Sequence, residues 1–331
     1  MTNIKKIGLS ALAGALAMTS AHAGALSVSG SMEVSYTKGS NETTSNPLGQ
    51  ATDITLAAST ELDNGVTVAY KNTSSDTTLT GDSELVFGNI LGGTLAMTST
   101  GSPVSAIDNK TPTAWKDAND QAGSITDVNG SDGTFGIRYT LSDVGGSGVK
   151  LDYMYFPVHG TGDGVGDEGF SGGGHGNKDA HEITLTGAVP GVEGLNIGAG
   201  YYAAAYDLAA ANEQDKHEGT VYATYAYGPI TVGYQVGAVG GSGSNPAGYK
   251  NTYAGISYAI SDDLSISYSN IEADRTNVTD AKGTNQDLDS ISLSYSMGGM
   301  TINVVDADCS NCSYTANKSQ NERAVTLAIA F

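Results

Sequence analysis

From Ala25 to the last residue, apolar and polar side chains alternate with a period of two. The stretch "LSVSGSMEVSY" puts Leu26, Val28, Met32, Val34 and Tyr36 on one face and Ser27, Ser29, Ser31, Glu33 and Ser35 on the other. "VTVAYKNT", "TFGIRYTL", "HEITLTGAV" and "DLDSISLSYS" repeat the pattern. Such segments are strands with one face apolar and one polar. The spacing predicts sixteen of them, at 25–38, 53–62, 66–76, 82–89, 94–100, 134–142, 149–156, 181–189, 195–206, 218–227, 230–239, 250–259, 264–273, 287–296, 300–307 and 322–331. An ordinary open sheet has about 4–6 strands, so a meander this long must close or split.

The connections also alternate. Every second one is tight and rich in Gly, Asp, Asn or Pro: "DNG" at 63–65, "PGVEG" at 190–194, "GP" at 228–229, "MGG" at 297–299. Those between them are mostly long and polar, the longest being 101–133. Short turns at one end and long loops at the other are the asymmetry of an outer-membrane barrel. A soluble sandwich would alternate too, but sixteen strands overfill it. A secreted solenoid would need a fixed short repeat, and none is visible.

Residues 1–23, "MTNIKKIGLSALAGALAMTSAHA", combine a basic start at Lys5 and Lys6, an apolar stretch and a small-x-small end. They read as a secretory signal cleaved before Gly24, leaving 24–331 as the barrel. Removing Lys5 and Lys6 from the 15 basic residues leaves 13 against 35 acidic ones, about −22. That balance argues against nucleic acid as a partner.

The last strand carries the most specific signal. In a closed barrel it must pair with the first, because lipid tolerates no open edge. "AVTLAIAF" is an amphipathic strand ending on the aromatic Phe331. In this the chain resembles the Gram-negative general diffusion porins, which end in such a strand, and the resemblance extends to the layout of the whole mature chain. It implies an all-β, sixteen-stranded transmembrane antiparallel barrel in the outer membrane. It also implies a homotrimer that contacts lipid and lipopolysaccharide, with Phe331 read by the assembly machinery.

In that family the third long loop folds into the lumen and faces basic residues on the wall. Here 101–133 holds Asp108, Asp117, Asp120, Asp127 and Asp132 with Lys110, Lys116 and the single Trp115. Counting parity from the apolar face turns Glu33, Lys71 and Arg138 inward. The expected constriction is therefore Asp108, Lys110, Lys116, Asp117 and Asp120 facing Lys71, Arg138 and Glu33. Its function would be passive diffusion of small hydrophilic solutes and ions with a mild cation preference. A channel biased to anions or saccharides and a plugged structural or adhesive barrel are the alternatives. No nucleophile motif suggests an enzyme.

Two further features stand outside the pore argument. "CSNC" in an exported chain predicts a disulfide between Cys309 and Cys312 that staples the last long loop. "GDGVGDEG" and "DVNGSDG" resemble calcium loops only loosely. Asp163, Asp167, Asp127 and Asp132 are thus weak candidates for a structural Ca²⁺, and no other cofactor is expected.

Overall fold

A computed structural model describes residues 26–40, 46–75, 82–131, 133–159, 177–206, 214–242, 247–276 and 284–331. They form sixteen strands: β1 (Ser27–Gly39), β2 (Leu48–Glu61), β3 (Thr67–Ser75), β4 (Asp82–Ile90), β5 (Gly93–Thr98), β6 (Gly136–Leu141), β7 (Val149–Phe156), β8 (Asn177–Ala188), β9 (Leu195–Tyr206), β10 (Lys216–Tyr227), β11 (Ile230–Val239), β12 (Gly248–Ala259), β13 (Leu264–Thr276), β14 (Gln286–Met297), β15 (Met300–Ser310) and β16 (Ser319–Ala330). Each pairs antiparallel with its sequence neighbours, and β1 pairs with β16 to close the ring. Two backbone bonds complete the seam. Gly30 N–H donates to the Phe331 carbonyl at 2.9 Å, and Phe331 N–H donates back to Gly30 at 3.0 Å.

The barrel is apolar outside and polar inside. Val34, Tyr70, Ile183, Val221, Tyr234, Ile291 and Leu327 are exposed on the outer surface, while the lumen-facing Thr184, Thr220, Ser269, Ser290, Ser292 and Thr326 are buried. This inversion is what a lipid solvent demands of the alternation. The tight turns need residues with positive φ. Between β14 and β15, Gly298 and Gly299 adopt φ of 56° and 87°, the geometry that lets two residues join twisted strands.

Strands β7, β9 and β11 coincide with the expected segments. Most other differences lie at the long-loop end. β2 begins at Leu48 rather than 53, β8 at Asn177 rather than 181, and β16 at Ser319 rather than 322, while β15 runs on to Ser310. There the hydrogen-bond ladder continues past the apolar belt. Both faces then meet water, so alternation no longer marks the strand. β5 and β6 go the other way and are six residues each, because the chain leaves the ladder early to enter the loop between them.

Candidate functional site

The connection between β5 and β6, here called loop 3, lies against inward-facing side chains of the wall. Its neck is held by Glu182 of β8, whose carboxylate is fully buried. That carboxylate accepts from Ser102 Oγ at 2.6 Å, Val104 N–H at 3.1 Å and Ser131 N–H at 2.8 Å. Glu218 of β10 accepts from the N–H groups of Asn129 and Gly130 at 2.8 and 2.7 Å, and pairs with Lys216. Further round, Gln235 of β11 accepts from Lys110 N–H at 2.6 Å and donates to the carbonyls of Ile107 and Asp108 at 2.8 and 2.6 Å. Asn251 of β12 donates to Thr126 O at 2.9 Å. Ser267 of β13 and Ser292 of β14 accept from the N–H groups of Ala114 and Trp115 at 2.7 and 3.1 Å. Each wall residue has inward parity, so one loop is bonded to seven consecutive strands from β8 to β14, with β9 supplying Tyr202 to Ser131 Oγ at 2.8 Å.

Apolar contacts reinforce these bonds. Val104 and Val128 of the loop pack with Met154, Phe156, Ala180, Tyr202, Ala204 and Val239. Ala118 and Ala122 pack with Tyr253, Ile271, Leu288, Val305 and the two cysteines, and Trp115 lies against this second cluster. Apolar residues such as Met154, Phe156, Leu288 and Val305 on the lumen face break the polar-inside rule. They are the footprint of the loop. In sequence the signal is an apolar run on both parities, as in "YMYF" at 153–156 and "VV" at 304–305.

Four aspartates of loop 3 meet around one polar cavity of about 190 Å³, lined by Asp108, Asn109, Thr111, Thr113, Asp117, Asn119, Asp120 and Asp127. Asn109 donates to Asp117, and the N–H groups of Asn119 and Asp120 donate to it at 2.8 and 3.1 Å. Burial, then the charges of Asp120 and Asp108, push the Asp117 carboxyl up to about 6 against those hydrogen bonds. Burial, with Asp108 next, pushes Asp127 up to about 6 as well. Lys116 sits 4.8 Å from the centre of the Trp115 ring, and Lys110 is exposed.

The other expected residues lie on a different arc. Arg138 of β6 donates to the Gly101 carbonyl at 2.6 Å and pairs with Glu84 of β4. Glu84 is in register with Lys71 of β3, and these two line a cavity with Thr73 and Thr100. Glu33 of β1 stands in register with Ala51 and Ala328 on the inner face. In a sixteen-strand ring, β3 is diametrically opposite β11. The site residues thus form two groups, carboxylates on the loop and Lys71, Glu84 and Arg138 across from it. Glu84 was not foreseen. Inward parity would have found it, opposite a lysine already chosen.

Cys309 and Cys312 are joined, with Cα atoms 5.6 Å apart. The bond closes the start of the last long loop, as expected, and is buried beneath loop 3. Of the calcium candidates, Asp127 lines the loop-3 cavity, and Asp132, Asp163 and Asp167 lie outside the described residues, as do residues 1–23. Among the described residues no cluster of three or more His, Cys, Asp or Glu side chains is arranged to hold a metal ion.

Solved porins share this architecture at low sequence identity. OmpT of Vibrio cholerae superposes with a TM-score of 0.67 at 9% identity, covering 93% of this chain and 98% of its own. OmpF of Salmonella typhi, solved with daunomycin, gives 0.64 at 12%, covering 93% and 98%. An anion-selective porin from Comamonas acidovorans gives 0.64 at 12%, covering 93% and 99%. A search of curated protein sequences found no match. Residues 8–307 match the family model described as Gram-negative porin. With the closed sixteen-strand barrel, that match establishes that the chain belongs to the Gram-negative porin family, the passive diffusion channels of the outer membrane.

Proposed function

We propose that the chain is a general diffusion channel for small hydrophilic solutes and ions, narrowed by loop 3 and mildly cation-preferring. The observation that carries this reading is the bonding of loop 3 to the inward faces of β8 to β14, with four aspartates around one polar cavity. Across the opening stand Lys71 and Arg138, offset by Glu84, with Arg138 also holding the start of the loop at Gly101. Carboxylates on one side and cations on the other set up a field across the opening that orders water and polar solutes. The two arcs do not balance, because the loop's acids outnumber Lys110 and Lys116. Related barrels include an anion-selective one, so the fold leaves the sign of selectivity to such residues. Of the inward tyrosines, Tyr202 and Tyr253 are buried behind the loop and Tyr222 and Tyr249 are half-buried, which leaves fewer open rings than a saccharide-guiding channel would call for.

The working unit is a homotrimer, as in the trimer form of Vibrio cholerae OmpT. Residues 1–23 direct export and are cleaved, and the Phe331 strand guides insertion among lipid and lipopolysaccharide. The mechanism requires no cofactor. The test is planar-bilayer conductance of the refolded mature protein, with reversal potential in a salt gradient. Current steps in threes with a mild cation bias support the reading. Strong anion selectivity would overturn the role given to the loop carboxylates, and silence from folded protein would leave a plugged barrel.

A further inference from the structure

The turn that follows β15 has an unusual backbone. Asn311, Ser313, Tyr314 and Asn317 all adopt positive φ, between 53° and 61°. Side chains other than glycine avoid that region unless their surroundings over-determine it. Here three constraints do so. Cys309 and Cys312 are bonded across the start of the turn. Cys312 N–H donates to the Lys318 carbonyl at 2.9 Å. Ser313 N–H donates to Gln286 Oε1 at 2.8 Å.

The same groups also hold the middle of loop 3. Gln286 Nε2 donates to the Ser124 carbonyl at 3.0 Å, so one side chain bridges the turn and the loop. Tyr314 Oη accepts from Thr126 N–H at 3.1 Å, and its ring leans on Tyr249 with centroids 5.3 Å apart. The turn closed by the Ala118 carbonyl ends at Gly123, against the disulfide. A Cβ there would lie 3.4 Å from Cys309 Sγ and 2.2 Å from Leu288 Cδ2. Cys309 and Cys312 share one buried cluster with Ala118 and Ala122 of the loop.

We propose that the disulfide-closed turn 309–318 is a positioning device for loop 3: it fixes segment 118–126 against β14 and β15, and so sets the steady open state of the pore. This rests on the reading that loop 3 narrows the lumen. The disulfide holds Tyr314 in the left-handed conformation that aims its hydroxyl at Thr126. Without it, residues 311–314 relax toward ordinary backbone, and Tyr314 and Ser313 leave their partners. Reduction by a dithiol breaks the Sγ–Sγ bond. One thiolate of the reductant attacks a sulfur, its second thiol resolves the mixed disulfide, and two cysteine thiols and a cyclic disulfide result. Because both sulfurs are buried, this exchange proceeds only when the turn opens.

The experiment compares the mature protein with the double variant Cys309→Ser/Cys312→Ser and with Tyr314→Phe, which keeps the disulfide and loses the acceptor. The readouts are single-channel current noise, the voltage that closes the channel, and the thermal midpoint of the barrel. Losing a buried anchor is expected to raise the population of displaced-loop states by roughly tenfold. Current noise should rise in proportion and closure should occur at lower voltage, with a smaller effect in Tyr314→Phe. Wild-type protein reduced by dithiothreitol should reproduce the noise, and reoxidation should abolish it. The reduced protein also answers the question if the serine variant does not fold. A lowered thermal midpoint with unchanged noise would mean a mere staple and overturn the proposal. A wild-type protein that does not conduct would instead overturn the channel reading on which it stands.

Discussion

Replacing Glu182 by alanine should undock loop 3 at its neck while leaving the barrel closed. The carboxylate takes three donors from two ends of the loop, Ser102 and Val104 on one side and Ser131 on the other. All three residues are buried. An unmade buried hydrogen bond costs about 1–3 kcal/mol. The lumen can admit water to the vacated space, so the lower bound is appropriate, giving about 3 kcal/mol for three donors. That is roughly a hundredfold shift in the ratio of docked to free loop. The backbone ladder of β8 with β7 and β9 is untouched, so the barrel should stay closed. Glu182→Gln retains one acceptor oxygen and should lose about half as much. The assay is amide hydrogen exchange in detergent micelles, read at Val104 and Ser131. Their protection should fall about a hundredfold in Glu182→Ala, with Tyr201 and Ile183 unchanged. Unaltered protection at Val104 and Ser131 would refute the claim that this carboxylate holds the loop.

Asp117 and Asp127 should make selectivity depend on pH. Their folded values stand near 6, above the ordinary 3.8. The loop therefore gains stability in full below 3.8 and loses it as pH rises through about 6; between pH 7 and 5 the cation preference should fall, and Asp117→Asn/Asp127→Asn should flatten that dependence. Arg138→Gln removes a cation facing the opening while leaving Glu84; a unit charge about 6 Å away in water is worth about 0.7 kcal/mol, so reversal potentials should show up to about a threefold gain in cation preference. Gly30→Val should impair closure of the seam, because a Cβ there would lie 2.7 Å from the Asp53 carbonyl and 2.8 Å from the Phe331 ring. Overpacking of this kind costs about 1–3 kcal/mol, and the folded fraction on refolding should drop accordingly.

The strands were legible because lipid imposes a strict alternation, and they became illegible where lipid ends. Leu48–Thr52 pairs with Met32–Tyr36, yet Leu48 is the one large apolar side chain in "LGQAT", so nothing in it marks a strand. Parity also told which side Lys71, Arg138 and Glu33 face. It did not tell what they meet, because parity fixes a face and not a height or an opposite number. Gln235 is bonded to Lys110 across 125 residues of chain, a pairing no local pattern encodes. The lumen-facing Phe156 and Leu288 were the one local clue to where the loop rests. They were read as ordinary strand residues because apolar side chains are expected in any strand. The cysteine bond was legible in the sequence, but its burial beneath loop 3 was not, since no local pattern tells what a turn packs against.

The asymmetric seat of loop 3 divides the labour around the ring. Strands β8 to β14 are committed on their inner face, where a substitution disturbs the loop as well as the wall. Strands β1 to β3 carry Glu33 and Lys71 on an inner face to which no part of loop 3 bonds among the contacts described, and Glu84 of β4 reaches the loop only through Arg138. A lineage of such proteins can therefore alter what passes by substituting along the bare arc, one residue at a time. Loop 3 need not be rebuilt at each step. Tolerance to change and influence on transport coincide on the same arc of the barrel.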